Sequence, residues 1–76
     1  MNDFWDQQTV IGEVERGERN KIVIAQAEKK GKHYVDIRNW YAERNTTDFW
    51  MPGKGISIPV EFFSDVLELL QKVSDR

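Results

Sequence analysis

Polar and apolar positions alternate along most of this chain and change to a helical period only after Pro59. In TVIGEVER, residues 9–16, alternation sets Val10, Gly12 and Val14 on one side and Ile11, Glu13 and Glu15 on the other, as in a strand with one covered face. RGERN behind it supplies a turn. KIVIAQAE, residues 21–28, is rich in β-branched side chains that suit a pleated surface, and it ends at KKGK, where Gly31 permits a hairpin turn. HYVDIRNWY, residues 33–41, then sends Val35 and Ile37 to one face and Tyr34, Asp36, Arg38 and Trp40 to the other. After the polar turn ERNTTD, a fourth strand is interrupted: DFWM is short and aromatic, PGKG breaks it, and ISI resumes it. The spacing predicts a bent or bulged element there, with Gly53 and Gly55 taking backbone angles closed to other residues.

Pro59 suits the first turn of a helix, and VEFFSDVLELLQKVS, residues 60–74, is the one strong helical signal. At about 100° per residue, Val60, Phe62, Phe63, Val66, Leu67, Leu69, Leu70 and Val73 spread over an arc of roughly 180°. A helix resting on one sheet needs a stripe only somewhat wider than about 100°. The surplus requires a second surface, either a sheet curled around the helix or a second copy of the chain. So short a chain favours the second copy, a homodimer expected to bury Phe62, Val66, Leu69 and Val73.

Composition narrows the classes. The 76 residues make one domain, residues 1–76, and a chain of this size buries only about 60% of its unfolded surface, so its apolar residues are needed for folding. With no cysteine there is no disulfide, thiol chemistry or thiolate metal site, and a reducing compartment is the simplest setting. The acidic start MNDFWDQQTV has no apolar run of secretory length, and no later window approaches the ~20 apolar residues of a membrane span. A cytoplasmic, nucleoid-associated protein with no membrane partner is expected, with residues 1–8 as a flexible tail. Catalysis lacks its parts. His33, the one histidine, makes neither a nucleophilic pair nor a metal cluster, so it reads as a half-exposed strand residue. GKGIS lacks the earlier glycine and the Ser or Thr directly after Gly-Lys that a phosphate-binding loop requires. The carboxylates are scattered, and the expectation is a non-enzyme with no catalytic residue, no metal ligand and no cofactor.

The formal net charge of -2 hides an asymmetry. Residues 1–18 set Arg16 against Asp3, Asp6, Glu13, Glu15 and Glu18, and residues 55–76 are acidic too. Between them Arg19, Lys21, Lys29, Lys30, Lys32, Arg38, Arg44 and Lys54 meet only Glu28, Asp36, Glu43 and Asp48. Such a middle can present a cationic face on an acidic protein. A single strand of nucleic acid is held by cations that follow its phosphates and by rings on which bases stack for about 1–3 kcal/mol each. Both lie here: Lys29, Lys30 and Lys32 ride the hairpin turn, Lys21 and Arg38 sit on the strands beside it, and Trp40, Tyr41 and Lys54 follow. Residues two apart share a strand face, so Arg38 and Trp40 form a joint platform, from which Tyr41 is excluded unless a bulge intervenes. The competing use of both rings is burial in the core or a dimer interface.

YVDIRNWYAE and PGKGISI, in that order and followed by an amphipathic helix, resemble the carboxy-terminal domain of positive cofactor four, a transcriptional coactivator family; the resemblance runs from about Val10 to Val73. It implies an α+β fold, a four-stranded antiparallel curved sheet followed by one C-terminal helix, forming a homodimer that binds single-stranded DNA with little sequence preference. By position, the DNA contacts it implies are Lys30, Lys32, Arg38, Tyr41 and Lys54. The chain departs from the pattern at Lys29, where the family has an aromatic residue, and at Ala27 and Met51, where it has basic ones. Weaker binding or a different strand path is the expected result. Without the serine- and lysine-rich leader of eukaryotic members, the chain is similar to a compact bacterial one.

The leading expectation is therefore a homodimer that binds single-stranded DNA, with RNA as a second ligand, in transcription regulation or in DNA replication and repair. The rival is an adaptor or transcription coactivator that recruits a transcription or replication protein while its basic face is incidental. A further reading concerns NDFWD, where acids flanking Phe4 and Trp5 imitate a strand and lie over the basic face as a reversible lid.

Overall fold

A computed structural model describes residues 4–43 and 49–73. Four strands, β1 (Gln7–Glu15), β2 (Asn20–Lys29), β3 (Lys32–Ala42) and β4 (Trp50–Pro59), precede one helix, α1 (Val60–Leu70). The strands form a single antiparallel sheet in the order β1-β2-β3-β4. This is the expected α+β arrangement. From residue 44 onward the polar turn before β4 lies outside the described residues, as do residues 1–3 of the expected tail.

Local chemistry sets the connections. Lys30 and Gly31 both have positive φ, 52° and 80°, which a two-residue hairpin loop with the sheet's own twist requires. The β2–β3 ladder is consequently unbroken from Lys29↔Lys32 to Asn20↔Tyr41. Two irregularities interrupt the outer ladders. In β1 the register shifts between Val10 and Gly12, so Val10 pairs with Ala25 while Gly12 and Val14 pair with Ile24 and Ile22. The bulge thus separates Val10 from Gly12 and Val14, which strict alternation had placed on one side. In β4 the shift falls where Arg38 pairs with Gly55 and Trp40 with Pro52, giving β4 one residue more than β3. The expected bulge is present, but its glycines do not serve positive φ. A Cβ on Gly55 would collide with the Ile37 carbonyl oxygen and stand 2.7 Å from the Arg38 Cα, so close approach of two backbones is what demands glycine.

Directly paired residues share a face, and the register sorts the sheet into two. Val14, Ile22, Ile24, Val35, Ile37, Ile56 and Ile58 form an apolar face, on which Val35 and Ile58 are buried. Lys21, Val23, Ala25, Ala27, Lys29, Lys32, Tyr34, Asp36, Arg38 and Trp40 line the other. Its centre is buried as well, since Val23, Ala25, Ala27 and Asp36 lose nearly all their exposure. The N-terminal arm lies against this face. Trp5 is only 8% exposed and its ring lies 5.3 Å from that of Tyr34, the cross-strand partner of Ala27. Residues 4–8 are therefore built into the fold, contrary to the expected flexible tail: Gln7 and Gln8 belong to β1, and the Asp6 amide donates to the Glu28 carbonyl at 2.8 Å.

The helix is more lightly attached. It meets only β3 and β4, half-buries Phe63 and Val66 and buries none of its residues, so the sheet does not curl around it. Pro59 precedes it as the capping residue, and Glu61 complements the dipole in its first turn. The Lys72 and Val73 amides donate to the carbonyls of Leu69 and Leu70, a tightening of the last turn that ends the helix short of residue 74 and leaves Val73 beyond it. The molecule is flat, 40 × 39 × 17 Å. No helix among the described residues is long and apolar enough to cross a membrane.

Candidate nucleic-acid interface

The face opposite the apolar one holds most of the residues singled out from sequence, and it is polarised along its length. At the β2–β3 turn Lys29 and Lys32 are cross-strand partners, with Lys30 at the tip. At the far end Glu13 and Glu15 of β1 share the face with Lys21. Lys21 is spoken for: its Nζ lies 3.1 Å from Glu13 Oε2 and 4.4 Å from the centroid of Trp50. An anionic strand is favoured at the hairpin end and repelled at the other.

Arg38 lies between the two ends and is engaged. Its Nε and Nη2 donate to the two carboxylate oxygens of Asp36 at 3.2 and 2.9 Å, and its Nη1 donates to the Gly53 carbonyl at 3.0 Å. The hydrogen bonds to Asp36 raise the Arg38 pKa above its usual value, with burial acting against them. Asp36, 2% exposed, also accepts from the Ser57 hydroxyl at 2.9 Å. The guanidinium is thus a locked, charge-compensated group that ties β3 to the β4 bulge. Lys30, Lys32 and Lys54 are exposed, and no salt bridge among the described residues involves them.

The unbroken β2–β3 ladder puts the two rings of NWY on opposite faces. Trp40 pairs with Lys21 and Pro52 and shares the face of Arg38, half-buried; Tyr41 pairs with Asn20 and Met51 and belongs to the opposite face, 39% exposed. The bulge that would have reconciled the two lies in β4, not β3, so it re-aims Gly53 and Lys54 and leaves Tyr41 where the pleat puts it. The structure thus brings Lys21, Lys29, Lys32, Arg38 and Trp40 onto one face, places Lys30 and Lys54 at a turn and a bulge, and sets Tyr41 apart. Of the expected dimer residues, Val66 is half-buried, Phe62 and Leu69 are exposed, and Val73 follows the helix, 70% exposed.

The position of the arm over this face was expected, but not the contacts that fix it there. Lys29 Nζ donates to the Phe4 carbonyl at 2.6 Å and stands 4.3 Å from the Phe4 ring centroid, while the Lys30 amide donates to Asp6 Oδ2 at 2.7 Å. The Phe4 and Trp5 rings meet edge to face at 4.8 Å. Phe4 and Trp5 thereby lie over this face, as the lid reading of NDFWD placed them, and Tyr34 joins them without having been singled out for it. The available signal was the size mismatch between Ala25, Ala27 and the large rings around them. No cluster of His, Asp and Glu among the described residues could hold a metal ion.

Comparison with known proteins agrees with this architecture. The model of the family Transcriptional Coactivator p15 (PC4) matches residues 18–69. Two crystal forms of a PC4 homologue from Burkholderia pseudomallei superpose on the chain. The orthorhombic form gives a TM-score of 0.74 at 28% identity over 88% of this chain and 89% of that one. The tetragonal form gives 0.75 at 27% identity over 86% and 94%. The search of curated proteins returned no match.

Proposed function

The chain belongs to the Transcriptional Coactivator p15 (PC4) family, and on that premise we propose that it binds single-stranded DNA as a homodimer, with little preference for sequence. The family is one of nucleic-acid-binding, non-enzymatic proteins. The observation that carries the proposal is one sheet face that combines exposed cations at its hairpin end, Lys30 and Lys32, with rings set among them. Phosphates pass from the hairpin toward Lys54, away from Glu13 and Glu15, and bases stack on the rings of that face. Rings can stack only on unpaired bases, so an unpaired strand is preferred to a duplex.

A second copy of the chain covers the side of α1 that stays exposed, where Phe62, Leu67, Leu69 and Leu70 are 39–65% accessible. A recruited transcription or replication protein is the other occupant of that side, as the adaptor reading requires.

Titration of an oligothymidine and of a duplex of equal length across a salt series tests the reading. Tighter binding of the single strand is expected, with a log–log salt slope of about -2 to -3 for three to four phosphate contacts. Replacing Lys30, Lys32 and Lys54 together by Ala should flatten that slope by about 2, while Lys72→Ala leaves it unchanged. Equal affinity for both nucleic acids, or binding indifferent to salt, would sink the proposal.

A further inference from the structure

The arm carries an aromatic residue that the core does not use. Trp5 is consumed by burial against Tyr34, but Phe4 remains 57% exposed although its position is set on several sides. Its ring is braced edge-on by Trp5 and flanked by the Lys29 ammonium, its carbonyl accepts from the same ammonium, and two residues on Asp6 is bonded to both Glu28 and Lys30. A large apolar ring fixed in an exposed position beside a cation has the two properties that a base-stacking site combines. Next to it runs an open groove of about 420 Å³ lined by Phe4, Trp5, Arg38, Pro52, Gly53 and Ser57.

We propose that Phe4 is a base-stacking residue: one unpaired nucleobase of a bound strand seats on its ring at the mouth of this groove, and Lys29 meets the adjoining phosphate. An ammonium has three donors, so the bond to the Phe4 carbonyl leaves Lys29 free to reach a phosphate as well. The arm is then a fixed strap that completes the site. A reversible lid would have to lift Trp5, only 8% exposed, from Tyr34. The ladder bond of Asp6 and its cap on the Lys30 amide oppose the same movement.

The inference rests on the single-strand reading, and Phe4→Ala separates the two. Phe4→Ala removes the edge contact with Trp5, so the thermal midpoint should fall by no more than a few degrees while the far-UV circular dichroism matches that of the parent. Its affinity for oligothymidine should fall about fivefold or more, the equivalent of the ~1 kcal/mol lower end of base–aromatic stacking. Its affinity for an abasic deoxyribose-phosphate strand of equal length should not change, and Phe4→Tyr should restore the oligothymidine value. Unchanged or tighter oligothymidine binding by Phe4→Ala overturns the inference, tighter binding being the mark of a lid. Equal losses on the two strands overturn it too, since the ring would then act through structure or charge. If the parent itself does not bind oligothymidine, the single-strand reading and this inference fall together.

Discussion

Arg38 illustrates how a residue legible from its type can still be misjudged in its state. A strand arginine beside a tryptophan reads as a phosphate contact, yet its fork is closed on Asp36 and the Gly53 carbonyl. Asp36 lies two residues earlier on the same face, so the pairing was within reach of the alternation that placed both. What alternation lacks is burial: the 2% exposure of Asp36 makes an unpaired carboxylate there costly and commits the guanidinium to it. On the proposed single-strand reading Arg38 should contribute less to affinity than a solvated lysine, and Asp36→Asn tests this directly. The amide keeps the shape and removes the counter-charge. Single-strand affinity should rise and the salt slope steepen by about 0.7, one further phosphate contact. Chemical denaturation should record a stability loss of about 1–3 kcal/mol from the weakened network with Ser57. A slope that stays put would mean that Arg38 does not face the strand at all.

At the level of elements, the regular parts were readable and the irregular ones were readable only as breaks. The β2–β3 hairpin followed from β-branched residues around Lys-Gly, and α1 from the change of period after Pro59. PGKG announced a bulge and ISI the resumption of the strand, but not where the register shifts, because that depends on pairing with β3 rather than on local preference. In β1 nothing local signals the extra residue at Val10–Gly12; it is a property of the ladder, and it moves Val10 to the other face. The fixed anchoring of the arm was missed for a related reason: Trp5 and Asp6 are held by residues more than twenty positions away, which no period can encode. The bulge in β4 is needed for the site as well as the strand, since it presents the Gly53 carbonyl to Arg38 and Lys54 to solvent. Gly55→Ala is its test. A methyl group there meets the backbone of Ile37 and Arg38, which cannot move aside without breaking the ladder, so a loss of about 2–3 kcal/mol in denaturant unfolding is expected. An unchanged midpoint would show the β3–β4 approach to be looser than the register implies.

For the whole molecule, shape sets the argument. A particle 17 Å thick whose one helix buries none of its residues has too little interior for its apolar content. Exposed apolar residues lie both on the helix, at Phe62, Leu67, Leu69 and Leu70, and on the sheet, at Val14 and Ile56. An isologous dimer would cover such surfaces with copies of themselves. Charge fits the same contact: Lys21, Lys29, Lys32 and Arg38 lie on the other face, so such a dimer would leave two candidate DNA-binding faces on one particle. That arrangement has a measurable consequence beyond mass. A strand long enough to reach both faces makes its second contact intramolecularly, and its affinity should exceed that of a strand spanning one face by about 10²-fold or more. Phe62→Asp combined with Leu69→Asp should halve the solution mass and abolish this length dependence, while binding of the short strand persists. If the parent chain already has the mass of one copy, or if the double variant keeps the advantage of the long strand, the two-faced dimer is wrong and the exposed side of the helix belongs to a different protein.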